Sequence, residues 1–251
     1  MSTYILKVYR GTPGNQYWEE FELPVGENII VALQAIALRP INRKGEKVAP
    51  VAYESGCLEE VCGSCSMLIN GRPRQACTAL IQKLIDESGS NIITLAPFTK
   101  FPLVRDLIVD RSSMFENLKK ARAWVDVDQG IDRGPGPKMY PELQQIRYSL
   151  STCMTCGCCL EGCPQVNPHS AFVGPAVVSQ ARLFNLHPVG KEAKDERNHF
   201  LMEEGGIGSC GNAQTCVKVC PKEIHLTDSI AAAGRDTTLQ AFKDLFGSNG
   251  D

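Results

Sequence analysis

The stretch GCLEEVCGSCSMLINGRPRQAC, from Gly56 to Cys77, decides the fold of the N-terminal part of this chain. Its first three cysteines are spaced C-x4-C-x2-C, and a fourth follows at a distance, which is the plant-type arrangement for a 2Fe–2S cluster. Gly56 and Gly63 allow the backbone to turn sharply around such a cluster. The Asn70-Gly71 pair is a strong hairpin signal that would return the fourth cysteine to the loop. The predicted ligands are Cys57, Cys62, Cys65 and Cys77.

A structural zinc ion is the alternative reading of this segment, because zinc also binds C-x2-C pairs. Zinc sites of that kind usually present two such pairs, and the segment contains one. The spacing therefore favours the 2Fe–2S cluster.

Two later runs, CMTCGCCLEGCP at 153–164 and CGNAQTCVKVCP at 210–221, follow one template. The first has the spacing of bacterial ferredoxins, in which three cysteines hold one cluster and the fourth, before proline, ligates a second. In the second run Ala213 stands where the template has its second cysteine, and a methyl group cannot bind iron. The crossing rule then predicts a 4Fe–4S cluster on Cys153, Cys156, Cys159 and Cys220, and a 3Fe–4S cluster on Cys163, Cys210 and Cys216.

These three sets use eleven of the 12 cysteines and leave Cys158 over. A spare or redox-active thiol is one interpretation of Cys158, and a small buried residue beside a cluster is the favoured one. The four histidines show no paired spacing, and no nucleotide-binding or acid–base motif occurs. The chain is therefore expected to carry electrons without substrate chemistry of its own.

The composition indicates a globular protein that is not built for nucleic acid. The chain has 251 residues, is 43% hydrophobic and 22% charged, and carries a formal net charge of −2. The N-terminus MSTYILKVYRG lacks a signal-peptide pattern, which predicts a reducing compartment where dense cysteines bind metal more often than they form disulfides. No apolar run is long enough to span a bilayer, so membrane attachment would require a partner.

The pattern of the chain predicts two domains, 1–102 and 103–251. Alternating segments at Tyr4–Arg10 and Tyr17–Leu23 predict a hairpin, and further strands are expected at Ser66–Ile69, Arg72–Ala76 and Ile92–Leu95. A helix is predicted over Asn28–Leu38, with Asn28 as its cap and Pro40 as its stop. A mixed sheet with one helix packed across it fits this order.

The second half is predicted to be mainly helical, with a Gly/Pro-rich loop at 128–141. Helices are expected at Leu103–Val125, Pro141–Leu150, Pro175–Leu186, Asp195–Glu204 and Thr227–Phe246. Three clusters in one chain suit a conduit that divides two-electron chemistry into single-electron steps, with a flavin and a quinone at its ends.

The whole chain resembles the iron–sulfur subunit of the succinate dehydrogenase and fumarate reductase family, respiratory complex II. The resemblance rests on ESGCLEEVCGSCSMLINGRPRQAC, CMTCGCCLEGCP, the VGPA at Val173–Ala176, and CGNAQTCVKVCP. It implies an α+β protein with an N-terminal plant-type-ferredoxin (β-grasp) domain and a C-terminal all-α bacterial-ferredoxin-like domain. It also implies two partners, a flavoprotein subunit with FAD and a cytochrome b-type membrane anchor, at the cytoplasmic face of the cell membrane.

One departure concerns the electron acceptor. Ubiquinone-reducing members of the family carry a tryptophan shortly after the proline that matches Pro164 and a histidine where Gly211 stands, and this sequence has neither. Pro164 is a candidate for the quinone pocket, and menaquinone, with haem in the anchor, is the favoured acceptor. In this respect the sequence looks closest to the Gram-positive succinate:menaquinone type.

Two other functions stay open at the level of sequence. One is a fumarate reductase subunit, which uses the same parts in the opposite direction. The other is a soluble electron-transfer subunit of a dehydrogenase, without a quinone or a membrane partner.

Overall fold

The computed structural model describes residues 3–126 and 138–247 of the chain. Two compact units divide it: the first comprises Met1–Arg111 with Met154–Gly162, and the second comprises Ser112–Cys153 with Cys163–Asp251. Residues 103–111 and 154–162 belong to the first unit, whereas the sequence predicts them in the second domain, 103–251. The predicted domain boundary at residue 102 stays a prediction. Of the predicted Gly/Pro-rich loop, residues 128–137 lie outside the described residues.

The first unit contains the predicted mixed sheet, of five strands in the order β2-β1-β5-β3-β4. β1 (Thr3–Thr12) pairs antiparallel with β2 (Asn15–Pro24) and parallel with β5 (Ile92–Ala96). β3 (Ser66–Ile69) pairs antiparallel with both β4 (Arg72–Gln75) and β5. Alternate residues of β1 enter the core, as the period of two predicts.

Two helices pack their apolar residues into the core of this unit. α1 (Ile29–Leu38) begins where the Asn28 side chain accepts a hydrogen bond of 3.0 Å from the Val31 N–H, and ends before Pro40. α2 (Ile81–Ser88) was not predicted, although its buried Ile81 and Leu84 lie three residues apart. It ends at Gly89, which adopts the left-handed conformation with φ 64°.

The predicted helix over Leu103–Val125 is wrong in its first part. Residues there form a second, small sheet, β6 (Leu103–Arg105) with β7 (Ile108–Val109), and α3 begins only at Ser112 and ends at Lys120. The reason is Asp106, which has φ 48° at the turn and accepts hydrogen bonds of 2.8 Å from the N–H groups of Gly11 and Ala52. These distant partners outweigh the local helical pattern.

Among the described residues, the regular elements of the second unit are all helical. Its longer helices are α3, α4 (Pro141–Ser151), α6 (Pro175–Asn185), α7 (Lys194–Met202) and α9 (Leu226–Gly247), so four predicted helices are confirmed to within two residues at each end. α9 packs against α6 and α7. The core includes Cys163, Phe172, Val178, Leu201 and Ala233.

Within the described ranges, no helix combines the length and apolar character that crossing a membrane demands.

Candidate iron–sulfur centres

The first cysteine loop directs backbone donors at the sulfur of Cys57. That sulfur lies 3.3, 3.2 and 3.3 Å from the backbone nitrogens of Glu59, Val61 and Cys62. Leu58 and Glu60 adopt positive φ values of 63° and 54°, which turn successive N–H groups toward one point. Such a concave arrangement of N–H groups favours a negative atom, and a cysteine thiolate bound to iron is one.

A second pair of donors faces Cys62. The Cys57 N–H lies 3.4 Å from the Cys62 sulfur, and the Ser64 hydroxyl lies 3.0 Å from it. Hydrogen bonds from the backbone and from Ser64 lower the pKa of the Cys62 thiol to about 6. Stabilisation of the thiolate is what a metal-ligating cysteine requires.

Cys65 and Cys77 lie together in the interior. Burial raises the pKa of Cys65 to about 11, against hydrogen bonds from the backbone N–H groups of Cys77 and Ala76, which lower it. Asn70 and Gly71, with φ 49° and 73°, make the predicted hairpin turn between β3 and β4, and beyond β4 the Ala76 N–H bonds the Cys65 carbonyl at 3.1 Å. The hairpin therefore returns Cys77 to the loop, as the sequence predicts.

The two later cysteine loops share one backbone conformation, displaced by 57 residues (210 minus 153). Thr155 and Gly157 have left-handed φ values of 49° and 87°, and their counterparts Asn212 and Gln214 have 50° and 58°. A single helical turn follows each, α5 (Cys158–Glu161) and α8 (Thr215–Lys218). The bond from the Val166 N–H to the Cys163 carbonyl recurs from Glu223 to Cys220.

This correspondence fixes which residue replaces which. Cys153, Cys156 and Cys159 match Cys210, Ala213 and Cys216, so Ala213 stands at the position that Cys156 has in the first loop. Three of the four positions in the second loop keep a sulfur.

A cavity of the second unit gathers the set that the sequence assigns to a 3Fe–4S cluster. Its lining includes Cys163, Cys210 and Cys216, and Ala213 faces the same space. Burial raises the pKa of Cys216, and the charges of Cys163 and Cys210 raise it further. Three thiols around a cavity with a methyl group at the fourth position fit a cluster that lacks one corner iron.

The set predicted for the 4Fe–4S cluster is divided between the units. Cys156 and Cys159 belong to the first unit, and Cys153 and Cys220 belong to the second. A hydrogen bond with Cys158 lowers the pKa of Cys156 to about 7, although burial raises it. The positive charge of Arg111 also lowers the pKa of Cys156. The assignment of these four residues stays a prediction.

Cys158 is completely buried, which fits its interpretation as a small interior residue. Its hydrogen bond with Cys156 and its burial raise its pKa well above the usual range of a thiol. The Gln75 amide nitrogen lies 3.6 Å from its sulfur.

Two polar residues near the cysteine loops escaped the sequence analysis. Arg111 donates to the carbonyls of Gly63 at 2.8 Å and Cys156 at 3.3 Å, and pairs with Glu54 at 2.8 Å. Gln75 contacts Cys65, Ser66 and Cys158. Neither residue belongs to a sequence motif, so their contacts with the cysteine loops are seen only in the structure.

A polar cleft of the second unit opens beside Cys210. Gln165, His169 and Ser170 are among its lining residues, and Pro164 is not. Pro164 as part of a quinone pocket stays a prediction.

In the portion of the chain that the structure describes, no group of three or more His, Cys, Asp or Glu side chains is arranged to hold a single metal ion. The fit of the cysteine sets to clusters rests instead on the donors around Cys57 and on the cavity at Cys163, Cys210 and Cys216.

Comparison with known proteins identifies the family. The model of a "2Fe-2S iron-sulfur cluster binding domain" matches residues 5–116, and that of a "4Fe-4S dicluster domain" matches residues 149–224. The succinate dehydrogenase iron-sulfur subunit of Bacillus subtilis (strain 168) is 56% identical over 235 residues, which cover 93% of this chain and 91% of that protein. The chain belongs to the family of succinate dehydrogenase iron–sulfur subunits.

A further relative is similar over much of the chain, and a solved structure shares its fold. The fumarate reductase iron-sulfur subunit of Wolinella succinogenes is 30% identical over 181 residues, 71% of this chain and 74% of that protein. A chain in the Mycobacterium smegmatis Sdh1 complex in the apo form has the same fold, with a TM-score of 0.78 at 23% identity, covering 96% and 97% of the two chains. The resemblance predicted from the cysteine runs is confirmed, as are the 2Fe–2S and 4Fe–4S cluster domains. As a succinate dehydrogenase iron–sulfur subunit, the chain is the electron-transfer subunit of an oxidoreductase complex.

Proposed function

We propose that this chain passes electrons from the FAD of a flavoprotein subunit to a quinone at a cytochrome b-type membrane anchor. Iron–sulfur clusters, when bound, accept and release single electrons, which allows two-electron oxidation of succinate to be coupled to reduction of a quinone. Support comes from the 56% identity to a succinate dehydrogenase iron-sulfur subunit over nearly the whole chain. Fumarate reductase subunits match over less of the chain and at lower identity.

The cysteine sets proposed for the three clusters are those predicted from the spacing. Cys57, Cys62, Cys65 and Cys77 hold the 2Fe–2S cluster, Cys153, Cys156, Cys159 and Cys220 the 4Fe–4S cluster, and Cys163, Cys210 and Cys216 the 3Fe–4S cluster. The cavity at the third set is the observation that supports the 3Fe–4S assignment, because Ala213 lines it together with the three cysteines.

The domain description is part of the proposal. The mixed five-stranded sheet with α1 in its core supports a β-grasp ferredoxin domain at 1–102, and the helices after Ser112 support an all-α ferredoxin-like domain within 103–251.

Menaquinone is the proposed acceptor, with haem in the anchor, at the cytoplasmic face of the membrane. Gly211 stands where ubiquinone-reducing members carry histidine, and a Cβ atom there would lie 2.5 Å from the Gln165 amide nitrogen. The end of the flexible Gln165 side chain fills this space, and a larger residue at 211 would displace it.

Purification of the tagged chain from detergent-solubilised membranes of its native host tests this function. We expect a flavoprotein and a haem-containing membrane protein to co-purify, with about nine irons per chain from clusters of two, four and three irons. Succinate should reduce menaquinone analogues in this preparation.

Two results would contradict the proposal. Elution of an active complex without a membrane protein after detergent-free lysis would indicate a soluble electron-transfer subunit. Six or fewer irons in a fully active complex would contradict the three cysteine sets.

A further inference from the structure

The side chain of Gln75 lies between a proposed cluster ligand and the one cysteine that the ligand sets leave over. Gln75 ends β4 and is 2% exposed. Its Oε1 is 3.4 Å from the Cys65 sulfur, and its Nε2 is 2.8 Å from the Ser66 hydroxyl and 3.6 Å from the Cys158 sulfur. All four residues belong to the first unit.

Iron binding changes which of these groups can donate. The Cys65 thiol donates to Oε1 in the structure, but a cysteine that ligates iron is a thiolate and has no proton to donate. An amide oxygen would then face the sulfur with no hydrogen between them. Rotation of the amide by half a turn exchanges Oε1 and Nε2, which have nearly the same size, and presents an N–H to the sulfur.

The rotated amide still finds donors for its oxygen. Ser66 donates to the Gly63 carbonyl at 2.6 Å, and that carbonyl also accepts from Arg111 at 2.8 Å. The Ser66 hydroxyl can therefore turn to Oε1 without leaving the carbonyl unpaired. The Cys158 S–H, whose partner in the structure is the Cys156 sulfur, can turn to Oε1 as a second donor, because a Cys156 sulfur that ligates iron does not depend on this hydrogen bond.

We propose that Gln75 donates a hydrogen bond to the iron-ligating sulfur of Cys65, and that Cys158 and Ser66 hold its amide in that orientation. This inference rests on the proposed function, which makes Cys65 a ligand of the 2Fe–2S cluster. An N–H···S bond stabilises the more negative, reduced cluster and raises its reduction potential. Gln75 is thus a residue that tunes the potential, and Cys158 is a positioning residue.

Redox titration of the complex, followed by the paramagnetic signal of the reduced 2Fe–2S cluster, tests the proposal. We expect Gln75→Leu to lower the midpoint potential, with the equilibrium constant for reduction falling by up to about tenfold, or 59 mV for one electron. Gln82→Leu is the matched control, because the amide of Gln82 donates to Asp86 on the exposed face of α2. The control should leave the potential unchanged.

A pair of variants at Cys158 separates the hydrogen bond from packing. Cys158→Ala removes the donor to Gln75 and should also lower the potential, whereas Cys158→Ser keeps a donor and should retain it. This pair decides the matter if Gln75→Leu fails to assemble its clusters. A normal 2Fe–2S signal at an unshifted potential in both Gln75→Leu and Cys158→Ala would overturn the inference, and so would equal shifts in the Ala and Ser variants. Absence of the 2Fe–2S signal from the unmodified complex would overturn the proposed function instead.

Discussion

Ala213 is the residue at which two otherwise matching loops differ in chemistry. Its neighbours Asn212 and Gln214 repeat the left-handed conformations of Thr155 and Gly157, so the backbone around it is that of the predicted ligand Cys156. Its side chain lines the cavity that Cys163, Cys210 and Cys216 share. The loop has the same shape as its counterpart. We therefore attribute the incomplete cluster to the missing thiol at position 213.

The substitution Ala213→Cys is expected to complete this cluster. The spacing becomes C-x2-C-x2-C-x3-C before proline, which is that of a two-cluster ferredoxin. The unmodified chain is expected to hold about nine irons, and we expect the variant to hold about ten. The variant should also lose the paramagnetic signal of an oxidised 3Fe–4S cluster. Iron analysis and spectra of the oxidised complex measure both effects.

Thr215→Cys is the control for this change. Thr215 corresponds to Cys158 in the other loop, a position that the ligand assignment leaves unused. The extra thiol there should leave the 3Fe–4S signal intact. A full-intensity 3Fe–4S signal in Ala213→Cys would contradict the explanation that the cluster lacks an iron because position 213 lacks a thiol.

Individual residues differ in how far the sequence predicts their roles. The gathering of Cys163, Cys210 and Cys216 could be predicted because the bacterial ferredoxin template assigns the cysteine before proline in one run to the cluster of the other run. Arg111 could not, since its partner Gly63 lies 48 residues away and no local pattern joins them. Gln75 contacts Cys158 across 83 residues, which is equally invisible in the sequence.

At the scale of elements, the β6–β7 hairpin shows distant contacts overriding a local pattern. Arg10 of β1 is buried and pairs with Glu19 of β2 and with Asp106 between β6 and β7. Burial opposes the charge of Arg10, but hydrogen bonds and attraction from Glu19 and Asp106 raise its pKa. Elements with local signals, such as α1 with Asn28 and the β3–β4 turn with Asn70, were predicted correctly.

Asp106→Ala is expected to destabilise the first unit strongly. The change leaves the N–H groups of Gly11 and Ala52 without this acceptor and removes one of the two carboxylates that balance Arg10. Loss of one partner of a buried ion pair destabilises by about 3–5 kcal/mol. A clear fall in the Tm of the cluster-loaded chain would show this.

Asp86→Ala provides the comparison, because Asp86 on α2 is exposed and accepts from Gln82. Surface changes of this kind stay within about 0.5 kcal/mol. Equal Tm values for the Asp106 and Asp86 variants would show that the buried pair contributes nothing to stability.

At the scale of the whole molecule, the first unit is built from two separated parts of the chain. Glu161 accepts hydrogen bonds from the Thr99 N–H at 2.9 Å and the Lys100 N–H at 3.0 Å. Gly157 has φ 87° and lies against an aromatic ring, so that a Cβ atom there would be 3.1 Å from Phe101. The segment 154–162 is therefore part of the fold of this unit.

Hydrogen exchange can test the dependence of the first unit on this later segment. In a fragment that ends at residue 111, the amides of Thr99 and Lys100 lose their acceptor Glu161 and should exchange faster than in the intact chain. Amides in the centre of β1, which pairs with both β2 and β5, serve as the internal reference. Equal protection of Thr99 and Lys100 in fragment and intact chain would show that the segment is dispensable.

The divided first unit also constrains the order of events on the ribosome. Arg111 leaves the ribosome well before Gly162, and at 5–20 residues per second the 51 residues between them take roughly 3 to 10 s to synthesise. Throughout that interval the nascent chain carries the loop of Cys57, Cys62 and Cys65 without the segment that later packs against Gly63. The contacts of Gly63 with Met154 and Cys156 can therefore form only after the rest of the first unit has been synthesised.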